Sequence, residues 1–159
     1  MRILKNHLKK NKKIISDYID KQIVITRVSK VTKGGKKLNF RAIVVVGNKK
    51  GSVGIGVAKA DEISNALKKA KAAGLKNLIS FPITKSFSIP HHVFNKFGAA
   101  KIILKPSKEG TGIIAGGSLR SVLEVSGIKN ISAKQMGSNN LLNNAQACIN
   151  ALKKLTTKN

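Results

Sequence analysis

From Gln22 onward, the apolar positions of the first half of the chain follow the two-residue period of β-strands. β-branched residues fill the stretch QIVITRVSKVT, and two further runs rich in Ile and Val occupy residues 38–46 and 53–58. Glycine-containing segments separate the three runs at residues 33–37 and 47–51, as expected of hairpin connections. The pattern therefore predicts three strands joined by two turns.

The period then changes to that of a helix. Asp61 and Glu62 mark its start, because the positive end of the helix dipole favours acidic side chains. The next apolar residues recur at spacings of three and four and share one face, while most lysines fall elsewhere. This face comprises Ile63, Leu67, Ala70, Gly74 and Leu78. Residues 22–79 are thus predicted to form a three-stranded sheet with one amphipathic helix.

The second half has the pattern of a further small α/β unit. Pro82 and Pro90 interrupt residues 80–92, which we interpret as a short strand or linker at a domain boundary. One or two strands ending at Pro106 follow, then a helix over residues 118–125 with Gly127 as its C-cap, and a strand over 130–136. A last helix is predicted with Ser138 or Asn139 as its N-cap. Its apolar stripe is Leu142, Ala145, Cys148, Ile149 and Leu152.

The net charge of the chain indicates what kind of partner it binds. The chain of 159 residues contains 31 Lys and Arg against 6 Asp and Glu, a formal net charge of +25, and its hydrophobic content of 42% still suffices for a packed core. A compact body with this imbalance repels itself, and a polyanion relieves the repulsion. Nucleic acid is the expected partner, since neutralised phosphates also release condensed counterions. Only four cations are Arg, so backbone tracking is expected rather than bidentate base recognition.

A glycine motif in the second half suggests a cofactor site at first sight. Gly110-x-Gly112-x-x-Ala115 matches the dinucleotide-binding fingerprint. However, four residues separate the preceding strand from the first glycine, and no acid follows Glu124 to bind a ribose. Two interpretations stay open and are compatible: close helix–sheet packing, or exposed amides that contact an RNA phosphate. The glycines at 51, 54 and 56 likewise suggest close approach by RNA or by a neighbouring strand.

Catalytic and metal chemistry has few candidate residues. Cys148 lies on the helical stripe, where a packed thiol is expected. His91 and His92 are adjacent and would face opposite ways on a strand, and the six acids are scattered. No apolar run approaches the roughly 20 residues of a membrane span. We therefore expect no enzyme activity, cofactor, metal, small-molecule substrate or membrane association, and residues 1–20 are interpreted as a basic extension.

The strongest local signal for RNA binding is RVSKVTKGGKK at residues 27–37. Cations surround a Gly-Gly pair in a loop between two strands. Glycines let the backbone approach a partner closely, and lysines supply charge without base specificity.

Two long stretches resemble one known family. Residues 27–60 (RVSKVTKGGKKLNFRAIVVVGNKKGSVGIGVAKA) resemble the first domain of the bacterial-type small-subunit ribosomal protein S5 family, and residues 109–140 resemble its second domain. The resemblance implies an α+β fold of two small domains. These are an N-terminal sheet plus helix like a double-stranded-RNA-binding domain, at 21–85, and a C-terminal α/β sandwich with a left-handed βαβ crossover, at 86–159.

The resemblance also implies functional residues and partners. The family's rRNA-contacting loop matches Arg27, Ser29, Lys30, Lys33, Gly34, Gly35 and Lys36, and we add Lys50 and Lys59 to the predicted rRNA-binding set. Gly112 and Arg120 match positions near the family's S4 contact, and with Gly116 and Gly117 they form a predicted protein-interface or rRNA seam. The implied neighbours are small-subunit rRNA, the ribosomal proteins S4 and S8, and the region where mRNA enters.

The resulting hypothesis is a structural constituent of the small ribosomal subunit that stabilises the head–body and decoding region and supports translational accuracy. We expect a cytoplasmic location in the ribosome. A plastid or other organellar ribosome is the alternative, because the abundance of Lys, Asn and Ile is typical of a reduced, AT-rich genome. Two rival hypotheses are a nucleotide-dependent enzyme that uses Gly110 to Ala115, and a protein that binds double-stranded RNA or the nucleoid outside the ribosome.

Overall fold

The computed structural model describes residues 18–155, so most of the predicted basic extension lies outside the described residues. The first sheet has the antiparallel order β1-β2-β3-β4. Its strands are β1 (Ile19–Thr32), β2 (Gly35–Gly47), β3 (Ser52–Ala60) and β4 (Ile79–Ser80), and helix α1 (Ile63–Lys76) connects β3 to β4. The three predicted strands and the helix are confirmed, and the two-residue β4 is an addition to them.

The second sheet has the order β5-β6-β8-β7. Its strands are β5 (Val93–Phe97), β6 (Ala100–Pro106), β7 (Ile113–Ile114) and β8 (Ile131–Met136). Helix α2 (Gly117–Ser126) connects β7 to β8, which run parallel, and helix α3 (Leu141–Lys153) follows β8. The α+β class with two sheet-plus-helix units is confirmed.

Local signals placed most helix ends correctly. Gly127 caps α2 in the left-handed conformation, with φ of 93°, as predicted. The prediction for α3 was wrong by one or two residues: the N-cap is Asn140, whose side chain accepts bonds from the amides of Leu142 and Asn143. Ser138 supports this turn instead, since its hydroxyl accepts a bond from the Asn140 amide.

The predicted apolar face of α1 needs correction. Ala66, Ala70 and Gly74 are the buried residues of the helix, whereas Ile63 is 42% exposed and Leu78 lies beyond the last turn. The small residues form the contact because α1 lies very close to β3. A Cβ built on Gly56 would be 1.9 Å from the Ala70 carbonyl oxygen.

The central strand β2 is buried on both faces. Ala42, Val44 and Val46 face α1 and form a small core with Ala66 and Ala70. The alternate residues Ile43 and Val45 belong to a larger core. That core also contains buried residues of the second half: Ile102, Leu104, Leu119, Val122, Leu123, Ile131, Cys148 and Leu152.

The larger core therefore continues across both halves of the chain. The predicted domain limits at 20/21 and 85/86 stay a prediction. The apolar packing does not divide at the second of these limits, since Ile43 and Val45 share one cluster with Leu123 and Leu152.

Candidate nucleic-acid interface

The β1–β2 hairpin extends beyond the rest of the first sheet. Pairing of β2 with β3 begins at Phe40 opposite Ala60, whereas pairing with β1 continues to Gly35 opposite Thr32. Residues 35–39 therefore pair with β1 only, and five residues of strand span about 17 Å. Residues 29–38 are all exposed. We call residues 26–41 the hairpin arm; the predicted RNA loop at 27–37 lies entirely on it.

Strand alternation distributes the cations of the arm over both faces. Arg27 pairs with Phe40, and Lys36 pairs with Val31, so these two cations share the face that continues towards α1. Lys30 lies directly opposite Lys37 on the other face. Gly34 and Lys33 form the tip. The structure thus groups seven predicted rRNA-binding residues on one projecting element: Arg27, Ser29, Lys30, Lys33, Gly34, Gly35 and Lys36.

Two like-charge pairs lie on the same face of the first sheet. Lys30 is opposite Lys37, and Arg41 is opposite Lys59; Lys37 and Arg41 are four residues apart on β2 and so point the same way. Opposed like charges destabilise a sheet. Within residues 18–155, none of these four cations forms an ion pair. The arrangement provides a row of unneutralised charge that an anionic backbone would offset.

Sequence reasoning missed two members of this row, Lys37 and Arg41. The signal was present in the sequence: once the Lys33–Gly34 turn fixes the hairpin register, Lys37 must face Lys30. The period of two then places Arg41 on the same face as Lys37. The prediction covered the hairpin but not the register of its two strands.

Lys50 lies far from the arm. It occupies the β2–β3 turn, at the opposite end of β2 from Gly35, and the intervening strand spans about 40 Å. The structure therefore brings Lys59 near the base of the arm but leaves Lys50 at the other end of the sheet.

The β2–β3 turn docks on the C-terminal end of α2. The amide of Lys49 donates to the Val125 carbonyl at 3.1 Å, and the amide of Gly51 donates to the Ser126 carbonyl at 3.0 Å. Gly127 permits this approach, because a Cβ there would lie 2.1 Å from the Lys49 carbonyl oxygen. The turn that carries Lys50 is thus held rigidly against the second half.

The predicted seam gathers at the start of α2. Gly116 is the N-cap, Gly117 is the first helical residue and Arg120 is exposed in the first turn. Gly112 lies on the approach to β7, where its amide donates to Asn130 Oδ1 and its carbonyl accepts from Ile131. The amide of Gly112 is therefore used within the protein, whereas no atom within 4 Å would obstruct a side chain at Gly117.

Arg120 has an internal partner. Its Nε donates to Glu124 Oε1 at 3.0 Å, one helical turn away, and Lys21 of β1 donates to the other oxygen of the same carboxylate. The Lys21 hydrogen bond lowers the pKa of Glu124, and Arg120 adds to this effect, while partial burial opposes it. The guanidinium remains largely exposed, so an outside partner can still reach it.

The candidate reactive groups have ordinary structural surroundings. Cys148 is fully buried, and burial raises the pKa of its thiol to about 12, which confirms the packed thiol. His91 and His92 lie in the segment before β5. In the described part of the chain, no three His, Cys, Asp or Glu side chains cluster as metal ligands. Over residues 18–155, no helix has the length and hydropathy needed to span a membrane.

Comparisons with known proteins agree with this architecture. The family "Ribosomal protein S5, N-terminal domain" matches residues 18–82, and "Ribosomal protein S5, C-terminal domain" matches residues 95–159. A protein of Trieres chinensis named small ribosomal subunit protein uS5c is 67% identical over 143 residues, covering 90% of this chain and 77% of its own length.

Two further relatives have comparable sequence identity to this chain. The uS5c protein of Phaeodactylum tricornutum is 62% identical over 158 residues, covering 96% of this chain and 90% of its own length. The uS5 protein of Nostoc punctiforme is 56% identical over 153 residues, covering 96% and 87%. Two family domains in sequence and relatives at this identity leave no ambiguity about descent: the chain belongs to the ribosomal protein S5 family.

Proposed function

We propose that the chain is a structural constituent of the small ribosomal subunit and binds rRNA mainly through the hairpin arm. The relatives are named as small ribosomal subunit proteins, and the family is not an enzyme family. The observation that carries the rRNA contact is the row of opposed cations, Lys30 with Lys37 and Arg41 with Lys59. Such pairs weaken the isolated protein and are neutralised by phosphates.

The mechanism is electrostatic and architectural. Cations on both faces of the arm suit insertion between two rRNA segments, since each face meets its own phosphate backbone. The glycines at the tip let the main chain approach the RNA closely. At its base the arm is continuous with β2, which is buried on both faces by α1 and by the second half, so the charges are held in fixed positions.

The finer partners follow from the family resemblance and from the seam. Gly117 and Arg120 are exposed at the start of α2, beside the half-buried Gly116, and we assign this surface to the contact with ribosomal protein S4 or adjoining rRNA. Contacts with S8, proximity to the path of incoming mRNA and support of decoding accuracy belong to the same proposal. The uS5c relatives, chloroplast or plastid forms by name, favour a plastid ribosome as the location.

The test is the salt dependence of binding to a small-subunit rRNA fragment. For the full chain, we expect log K to fall steeply with log salt, and the double variant Lys30→Gln/Lys37→Gln should reduce the slope by about 2 if each lysine neutralises one phosphate. The control Lys68→Gln/Lys76→Gln removes the same charge from exposed positions of α1. Equal slopes for the arm variant and the unchanged chain would overturn the assignment of the arm.

Co-sedimentation separates the ribosomal role from a free RNA-binding role. The unchanged chain should sediment with small subunits at physiological salt, and the arm variant should be depleted from that fraction. A chain that binds duplex RNA but stays outside the subunit would contradict the proposal.

A further inference from the structure

Within residues 18–155, no helix or strand covers one face of the second sheet. Val93, Asn95, Ile102, Leu104 and Ala133 point towards α2 and α3 and are buried. The alternate residues of the same strands point the other way and are exposed or half-buried. We call this second set the open face; it comprises Phe94, Lys96, Lys101, Ile103, Lys105, Ser132, Lys134, Met136 and Ile114.

The strand register arranges the open face in rows. Phe94, Ile103 and Lys134 form one row across β5, β6 and β8. Lys96, Lys101 and Met136 form the adjacent row. A third row joins Lys105, Ser132 and Ile114. Phe94 and Ile103 are the only directly paired apolar side chains in these rows, and each row contains at least one lysine.

Charge on the open face has one sign. Lys96, Lys101, Lys105 and Lys134 are all exposed, and the four strands contain no Asp or Glu. Lys96 lies directly opposite Lys101, so the open face repeats the like-charge pairing of the hairpin arm. An anionic partner would offset this repulsion.

The aromatic residue of this face is unusually accessible. Phe94 is 55% exposed, on the strand at the edge of the sheet, and lies opposite the half-buried Ile103. An exposed ring on a sheet surface, with an aliphatic neighbour and surrounding cations, matches the requirements for stacking an unpaired base while its phosphates contact lysines.

We propose that the open face is a second RNA site, which binds unpaired nucleotides by stacking a base on Phe94 and gripping the adjoining phosphates with Lys96, Lys101 and Lys134. The inference rests on the proposed rRNA-binding function but concerns a different surface and a different RNA form from the hairpin arm. The exposed residues of the arm, 29–38, include cations but no aromatic side chain, whereas the open face combines cations with an exposed ring.

RNA suits the open face better than the two alternative partners, which are residues 1–17 of the same chain and another protein. Residues 1–17 of the chain contain Arg2 and five lysines against the single acid Asp17, so their charge opposes docking on a cationic surface. A protein partner would need an apolar patch, but every row of the open face contains at least one lysine, and two of the three rows hold a single apolar residue each.

The experiment measures binding of the full chain to an eight-nucleotide single-stranded RNA by fluorescence anisotropy, beside the rRNA fragment used for the arm. Phe94→Ala should weaken binding of the single strand about tenfold, as loss of one stacked base predicts. Phe94→Tyr, which keeps the stacking surface, should restore it. The matched control is Phe97→Ala, on the same strand and 41% exposed but on the other side of it.

Charge provides a second measurement. Lys96→Gln/Lys101→Gln should reduce the salt slope for the single strand by about 1.4, the value for two phosphates of single-stranded nucleic acid. Phe94→Ala should leave that slope unchanged, because stacking releases no counterions.

The outcomes separate this proposal from the function of the arm. If Phe94→Ala and Phe97→Ala have equal effects on the single strand, the open face is not a stacking site, and the arm is unaffected. If Phe94→Ala leaves RNA affinity unchanged but prevents association with another small-subunit protein, the face binds protein and the proposal is overturned. If the arm variant also leaves rRNA binding unchanged, the proposed function itself fails.

Discussion

Glycine in β3 is required by packing rather than by RNA. Built Cβ atoms at Gly54 and Gly56 would lie 2.5 Å and 1.9 Å from the carbonyl oxygens of Gly74 and Ala70 in α1. From the sequence, we expected another backbone to approach these glycines closely, either RNA or a neighbouring strand. The neighbour is a helix, which a period-two pattern cannot identify, because the pattern shows which side of a strand is occupied but not by what.

Gly56→Ala should therefore destabilise the protein. The methyl group would overlap backbone atoms of α1, which cannot rotate away, so the helix must shift and lose contacts with Val44 and Val46. We expect a loss of roughly 2–3 kcal/mol in the free energy of unfolding, measured by urea denaturation.

Gly34→Ala is the matched control for this substitution. No atom lies within 4 Å of a Cβ at Gly34, and its φ is not positive, so stability should change by no more than about 0.5 kcal/mol. A stability loss at Gly34 equal to that at Gly56 would contradict the packing account. A loss of rRNA affinity at Gly34 without a loss of stability would support close approach at the tip.

At the scale of elements, an ion-pair network ties the first strand to α2. The carboxylate of Glu124 accepts hydrogen bonds from Lys21 in β1 and from Arg120 in α2. Lys21 is the largest cause of the lowered pKa of Glu124. The network joins elements about a hundred residues apart in sequence, and no local pattern could have predicted it.

The lowered pKa fixes the sign of a pH effect. Because the folded protein holds Glu124 deprotonated below its ordinary pKa of 4.5, the network stabilises the protein above that pH and is lost as the pH falls through the folded pKa. Glu124→Gln should therefore be less stable than the unchanged chain at pH 6, and the difference should shrink at pH 3. Urea unfolding of both proteins at the two pH values measures it; a difference that is constant with pH would contradict the role of the carboxylate.

Elements with a strong period or a strong cap were predictable, and very short ones were not. The first hairpin, α1 and the Gly127 cap follow from alternation, helical spacing and a left-handed glycine. Strands β4 and β7 have two residues each, too few to show any period. Strand β7 pairs with β8 only because the chain crosses over through α2. The strand order β5-β6-β8-β7 therefore depends on how distant segments pack, and no single segment of the sequence indicates it.

At the scale of the whole molecule, the sequence indicated the class of binding partner more clearly than it indicated how the two halves of the chain pack. Net charge of +25 indicated a polyanionic partner without any structural information. The shared core was not predicted, because the continuous run AIVVV in β2 indicates burial on both faces but cannot name the second cover. The structure shows α1 on one face and the second half of the chain on the other.

The shared core predicts that the two halves unfold together. Ile43 of β2 and Leu123 of α2 are buried in the same cluster, so Ile43→Ala and Leu123→Ala should each cost about 2–5 kcal/mol and affect the whole chain. Hydrogen exchange measures this directly, since amides of β3 and β8 report on opposite halves.

In the unchanged chain, the most protected amides of both strands should exchange with the same free energy, and each substitution should lower both values equally. Ala66→Gly extends the test, because Ala66 belongs to the small core under α1: if the chain unfolds as one unit, this substitution should also lower both values equally. If Leu123→Ala lowers protection in β8 but leaves β3 unchanged, the halves are independent domains. The rigid connection between the hairpin arm and the open face of the second sheet would then be lost, because only a common core fixes these two charged surfaces relative to each other.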